Sequence, residues 1–518
     1  MATTTSLRSR RGAAQLHALA SVEREIRVHD HNGRRKYLRD FTQAYRSYES
    51  VIDRQQLNSL VQSAAILLIG DYHALPASQR FAAALLEERA QPGDRPVVLG
   101  VETIFSRDQH ILDEWWRREI DQAELRQRIR FDLDWGYDWQ PFYELLLTAR
   151  EHAEGIYGLD CMPREDLRKI GARDRHAAHK IAELRQRHPN AVILALFGES
   201  HLAPGHLPRL LRAQLPGERP LTILQNVDAL YWRAAGELQE HVEAVRVDQD
   251  VVCVFNSTPL EKYENYRLCL TRWNREEDEA PDAGPTIYNL IDGLLRFLDI
   301  DRYASQNGTQ PKFLVDLLPE IYCGTSEARL RRLLSHTDPE TAEAVFRKVE
   351  EHGSAYLPQV NVFYLREFQM MYVAEEAARF LHHACRGLTS GANMHSDKNE
   401  NSDRLYCLTV EHALGYFGSR VLYPARSPKD ESLLPAKLDL NPERLRSDGI
   451  KSEAMAQQLG YELGDHLYDA YLEGRVTRCA LRRLFLAQLE NPGTAKKVCL
   501  ELVNGVRPEK KKAGAAAG

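Results

Sequence analysis

The sequence predicts an α/β domain, a mostly parallel sheet flanked by helices, followed by a largely all-helical C-terminal region. Two patterns predict it. Between about residues 60 and 260, short apolar runs alternate with stretches of helical spacing, and beyond 261 apolar residues recur at three and four with no strand runs between them. Length adds a third argument, because 518 residues exceed what one ordinary core fills. Hydrophobic residues at 43% and charged residues at 27% are those of a soluble globular chain and exclude a wholly disordered or membrane-embedded one. A net charge of −6, with the basic residues scattered along helices, gives no footprint for nucleic acid.

Residues 1–20 are basic and rich in Thr, Ser and Arg, and read as a disordered tail without the apolar core of an export signal. No run reaches transmembrane length, so the expected location is cytoplasmic. The α/β domain is expected over 21–260, beginning with one or two lead-in helices that cover an edge of the sheet. Strands are predicted at Ala64–Ile69, Val97–Val101, Ile156–Leu159, Val192–Phe197, Leu221–Leu224 and Val251–Phe255, with helices such as Phe81–Arg89 and Trp139–His152 between them. A helical domain of unassigned role follows over 261–508, with helical spacing at Ile287–Leu298, Phe363–Ala384 and Leu467–Leu489. Residues 388–404 read as a polar loop and 509–518 as a disordered tail. The eight cysteines lack the paired short spacings of a zinc ribbon or a redox dithiol and read as reduced, mostly buried thiols.

Ligands of an open parallel sheet bind beyond the carboxyl ends of its strands. Every predicted strand ends in a polar group: Gly70-Asp71-Tyr72-His73, Glu102, Asp160, Gly198-Glu199-Ser200-His201, Asn226 and Asn256. Two of these ends are spelled Gly-x-x-His. Two imidazoles and a carboxylate suit a divalent transition metal with an open position for water, so His73, Glu102 and His201 are the candidate catalytic and metal-ligating residues. Glu102 directly follows an apolar strand and needs a cation, a donor or a metal beside it. Asp71 and Glu199 are candidate acceptors from the histidine rings.

In chain order, several pieces resemble the ChaN family, within the wider group that includes Tiki proteases and erythromycin esterases. They are Gly70–His73, Gly100-Val101-Glu102, Asp108-Gln109, Leu112-Asp113, Trp135-Gly136-Tyr137-Asp138-Trp139, Ala149-Arg150, Pro163-Arg164 and Gly198–His201. The resemblance covers residues 60–260, the length of one domain, and leaves the C-terminal half uncovered. It implies a sheet with covering helices and a cleft shared by His73, Glu102 and His201. For the cofactor it implies a divalent metal ion, as in Tiki-like peptidases, or haem, as in ChaN. The esterase branch implies hydrolysis with His and Glu in catalytic roles. Ser78, Gln79 and Arg80 stand where ChaN-like sequences carry a further histidine, and Tyr72 and Tyr137 are the candidate haem-ligating tyrosines.

Asp160, Arg164 and Tyr137 are the candidate substrate contacts, although Asp160 equally suits a helix cap and Arg164 an ion pair with Asp160 or Glu102. The aromatic group Trp135, Tyr137, Trp139, Phe142 and Tyr143 reads foremost as core, and His206 as peripheral. Glu375/His382, Glu376/His383 and Glu411/His412 read as surface or helix-packing residues, because a bundle metal site pairs Glu and His three apart. Two functions compete: a metal-dependent hydrolase of ester or amide bonds acting on a small molecule or peptide, and a non-catalytic haem or iron binder. A degenerate scaffold domain is the third reading.

Overall fold

The computed structural model describes residues 4–29, 36–91, 93–161, 170–237, 242–273, 282–301, 317–324, 326–386, 400–427, 449–489 and 493–506. The chain divides into two compact units, Glu23–Arg275 and Met1–Val22 with Glu276–Gly518. The first helix, α1 (Thr4–His29), begins where the sequence suggested a tail. The reason is an apolar stripe within the basic segment, since Ala14, Ala18, Leu19 and Val22 are buried.

The α/β unit continues with α2 (Lys36–Ala44), β1 (Ser50–Ile52), α3 (Arg54–Ser63), β2 (Ile66–Asp71), α4 (Pro76–Arg89) and β3 (Val97–Phe105). Helices α5 (Gln109–Trp116), α6 (Gln122–Arg128), α7 (Phe131–Asp134) and α8 (Trp139–His152) lead to β4 (Gly155–Asp160). Then α9 (Ile170–Arg187), β5 (Val192–Gly198), α10 (Leu207–Gln214), β6 (Leu221–Gln225) and α11 (Asp228–Glu237) alternate. The unit closes with β7 (Ala244–Asp248), β8 (Val251–Val254) and α12 (Pro259–Trp273). The eight strands form one sheet in the order β1-β7-β8-β6-β2-β5-β3-β4. Neighbours from β8 to β4 run parallel, and β7 and β1 add antiparallel at one edge.

Each buried strand splits its side chains between two cores, as the period of two requires. Leu67, Ile69, Leu99, Val101 and Leu196 join Phe142, Leu145 and Leu146 of α8 on one face. Ile66, Leu68, Val98, Ile193 and Phe197 meet Ala177, Ala178 and Ile181 of α9 on the other. Helix α2 lies on that second face through Phe41 and Tyr45, so β1, rather than a lead-in helix, occupies the sheet edge. Helix α3 starts with a full capping box between Asp53 and Gln56. The unit extends past 260 because α12 buries Leu260, Lys262 and Cys269.

The second unit holds α13 (Gly284–Leu298), α14 (Glu327–Leu333), α15 (Pro339–His352), α16 (Met370–Arg386), α17 (Glu400–Leu422), α18 (Gly449–Leu472), α19 (Arg478–Phe485) and α20 (Thr494–Val506). It is largely helical but not wholly so. Strands β9 (Glu320–Cys323), β10 (Ser354–Leu357) and β11 (Val362–Leu365) form a small sheet in the order β10-β11-β9. Val362–Leu365 therefore belongs to a strand, not to the predicted Phe363–Ala384 helix. Four-residue apolar strands that abut helices carry too little period to separate from them by pattern alone. Close packing of α17 on α18 needs glycine, since a Cβ on Gly464 would meet the Ala413 carbonyl oxygen at 2.5 Å. The polar loop at 388–399 and the tail at 509–518 lie outside the described residues, and from Glu400 the chain is already helical. Among the described residues no helix is long and apolar enough to cross a membrane. All eight cysteines are unpaired; Cys479 is exposed, and Cys253, Cys269, Cys385 and Cys499 are buried.

Candidate functional site

β5 sits between β2 and β3, and this placement assembles the site. The register sets Asp71 opposite Gly198 and Val101 opposite Leu196. The residues just beyond these pairs, His73, Glu102 and His201, therefore gather at one carboxyl edge. Glu102 lies within β3 rather than after it, because the strand runs on to Phe105 through an irregularity in its pairing with β4 between Val101 and Phe105.

The two imidazoles face the same carboxylate. His73 Nε2 is 3.5 Å from Glu102 Oε2, and His201 Nε2 is 3.7 Å from Oε1. Each ring is held from behind by an aspartate. Asp71 Oδ2 is 2.6 Å from His73 Nδ1, and Asp174 Oδ1 is 2.5 Å from His201 Nδ1. A carboxylate only accepts, so Nδ1 carries the proton in both rings and Nε2 is the free basic nitrogen of the neutral form. Asp71 is itself fixed, because its Oδ1 accepts from Gln79 Nε2.

Glu102 is buried, and burial alone would raise its carboxyl pKa. Arg173, then His201 and His73, and the Gly198 N–H together hold it below the ordinary carboxylate range. Arg173 Nη2 donates to Glu102 Oε1 at 2.5 Å, and the Gly198 N–H donates to Oε2. A Cβ on Gly198 would lie 2.9 Å from Glu102 Oε2 and 3.4 Å from His73 Nε2, so only glycine leaves the cradle open. Arg173 also binds both oxygens of Asp160, with Nη2 to Oδ2 at 2.6 Å. Burial, in the company of Glu102, pushes the Asp160 carboxyl up despite that pairing.

The candidates from sequence fall into three groups. His73, Glu102, His201 and Asp71 come together. Asp160 is fully buried and tied to Arg173. Glu199 turns away from the histidines to Lys262 Nζ at 3.0 Å, because this buried ammonium needs an anion and Asp174 already serves His201. Tyr137 is buried with its ring centroid 5.3 Å from that of His73; Trp135 stands at 5.3 Å and Phe142 at 6.2 Å. These rings belong to the core and also wall His73. Arg164 lies outside the described residues. Tyr72 is partly buried beneath the Lys262 ammonium, 4.5 Å from its ring centroid.

Arg173, Asp174 and Gln79 come from helices and so lie outside the pattern of polar strand ends. The trace of Arg173 and Asp174 in the sequence is a stripe on α9: the buried positions 173/174, 177/178, 181/182 and 184/185 recur at helical spacing, and the first pair is charged. His206 is not peripheral either. Its Nδ1 lies 3.0 Å from Asp174 Oδ2, so one aspartate serves two histidines.

The donor types suit a divalent metal, but their arrangement does not. Arg173 takes one oxygen of Glu102 and supplies the positive charge a metal would bring, and a backbone N–H takes the other. Among the described residues no three His, Cys, Asp or Glu side chains are grouped to hold a metal ion. Haem iron fares no better at His73, where Nδ1 faces Asp71, Nε2 faces Glu102, and three aromatic rings enclose the imidazole.

A mostly parallel α/β sheet with a histidine–carboxylate centre at its carboxyl edge defines the class of this unit. Residues 57–190 match the family model described as haem-binding uptake, Tiki superfamily, ChaN, and form a domain of that superfamily. The matched stretch holds Asp71, His73, Glu102, Arg173 and Asp174 and ends before β5 and His201. Two solved structures are similar to parts of the chain. One, titled cofacial heme binding to ChaN of Campylobacter jejuni, has 15% identity, covers 34% of this chain and 86% of its own, and has a TM-score of 0.26. The other, the type III effector HopBA1, has 14% identity, covers 40% and 96%, and has a TM-score of 0.29. None of the curated proteins matches.

Proposed function

We propose that the α/β unit is a hydrolase of ester or amide bonds that works by acid–base chemistry at His73, Glu102 and His201 without a metal. The observation that carries this reading is the matched pair of Asp–His contacts whose free Nε2 atoms face one ionised glutamate. His73 Nε2 accepts a proton from the attacking water, and the imidazolium formed lies between Asp71 and Glu102, which offset its charge. The same His73 Nε2 then gives that proton to the departing oxygen or nitrogen as the C–O or C–N bond breaks, while His201, oriented by Asp174, faces the other oxygen of Glu102. Arg173 keeps Glu102 ionised and in place. Trp135, Tyr137 and Phe142 favour an apolar acyl group on a small-molecule or peptide substrate.

The test is hydrolysis of a panel of p-nitrophenyl esters and anilides by the full chain. Turnover that resists EDTA and falls about 10²–10⁴-fold in His73→Ala is the expected result. Activity lost to EDTA and restored by zinc would return the metal to the site. The absence of turnover together with a saturable Soret band on hemin titration would favour the binding protein instead.

A further inference from the structure

In the helical unit, α1, α13, the end of α18 and α19 enclose a cavity of about 470 Å³. We propose that it binds a small organic anion with a flat apolar body, such as an aromatic carboxylate or sulfonate. Its size lies within the range of about 300–1,000 Å³ usual for small-molecule sites. Ala13 and Ala14 line it with only methyl side chains, and Gly293 lets α13 approach Ala18 of α1 closely beside it. One wall is a pair of rings, Phe297 and Tyr471, with centroids 5.3 Å apart and planes at 77°. Such an edge-to-face pair offers a ring-sized slot for a third flat group.

Two guanidiniums, those of Arg296 and Arg478, line the cavity. Arg296 and His17 share one carboxylate, Asp292, at 3.4 and 3.6 Å. Arg478 is exposed and has no carboxylate partner among the described residues. It is also the first residue of α19, whose N-cap is Thr477. A guanidinium and a helix N-terminus at one point favour an anionic head group there. The apolar body then lies against the rings, away from water. Nothing in this site is shared with the histidines of the α/β unit, so its test is independent of theirs.

The full chain is titrated with 1-anilinonaphthalene-8-sulfonate, followed by fluorescence. Saturable single-site binding is expected, displaced by benzoate and not by benzyl alcohol. Arg478→Glu should weaken it at least tenfold, and Arg478→Lys should stay within about threefold, as charge rather than shape sets the head-group site. Ala13→Trp, which fills the cavity from a partly exposed helix, should abolish it while the melting temperature is kept. Non-saturable binding, equal displacement by benzyl alcohol, or unchanged affinity in both Arg478→Glu and Ala13→Trp would overturn the proposal. Should Ala13→Trp fail to fold, the two Arg478 variants decide it.

Discussion

Glu102 of the α/β unit and Glu375 and Glu376 of the helical unit are all buried, and the groups that meet them differ. In the α/β unit, Glu102 meets one guanidinium and two imidazoles that aspartates hold by their far nitrogens. In the helical unit, Glu375 meets Lys348 at 3.2 Å, Arg426 at 2.9 Å and the Tyr461 hydroxyl at 2.9 Å. Glu376 meets Lys348, Arg379 and the Tyr356 N–H. The second arrangement ties helices together through an ammonium, guanidiniums, a phenol and a backbone N–H. The first sets two aspartate-held imidazoles against the two oxygens of one carboxylate. Burial of a carboxylate is thus no mark of a site by itself.

The sharpest way to break this comparison is to remove the cation from each side. Arg173→Met strands Glu102 and Asp160 together and should cost about 3–5 kcal/mol, read by urea denaturation, with hydrolysis lost as well. Glu375→Gln leaves Lys348 and Arg426 with Glu376 still nearby, so about 2–3 kcal/mol is expected with hydrolysis unchanged. If Glu375→Gln abolished turnover, the division of labour would be wrong.

Acidification sharpens the contrast. Burial, reinforced by Lys348 and neighbouring arginines, lowers His352 to about 4 and His412 to about 3. Both rings are neutral in the folded state, while an unfolded histidine gains a proton below pH ~6.5. The unfolded chain then binds more protons, so the stability held above pH ~6.5 is lost as pH falls towards these folded values. Each ring should contribute a loss on the order of 1–2 kcal/mol by pH 5, seen as a falling melting temperature that His412→Gln partly flattens. Above pH ~7 the curve should be level with respect to these two groups.

The smallest expected effect concerns local structure. Asp53→Ala removes the side-chain acceptor of the α3 capping box, leaving the residue-53 N–H on Gln56 Oε1, and should cost about 1 kcal/mol in the α/β unit, with turnover and dye binding untouched.

Six parallel strands could be read from the sequence because each is a continuous apolar run ended by a polar residue. β1 and β7 could not: one is three residues long, and the other, Ala-Val-Arg-Val-Asp, is only partly buried. The small sheet of the helical unit was hidden for the same reason of length. Within the site, the Gly-x-x-His turns stood out because glycine and histidine follow apolar runs. Arg173 and Asp174 did not, since charged residues on a helix ordinarily face water and only the apolar positions 177, 178 and 181 show which way these two point. The helical pairs Glu375/His382 and Glu376/His383 lie on packing faces, as their spacing suggested, and all but His383 are buried. Glu375 and His382 answer different partners, the latter facing the Phe485 carbonyl oxygen.

The placement of β5 has a consequence for synthesis. Strands β2 and β3 are made first, yet neither bonds to the other; both wait for Val192–Gly198 to fill the gap between them. A nascent chain that stops before Val192 holds His73 and Glu102 on strands with open inner edges and lacks His201 altogether. The grouping of His73, Glu102 and His201 is therefore completed late, with the closing of the sheet, and a partly translated chain carries unpaired edges.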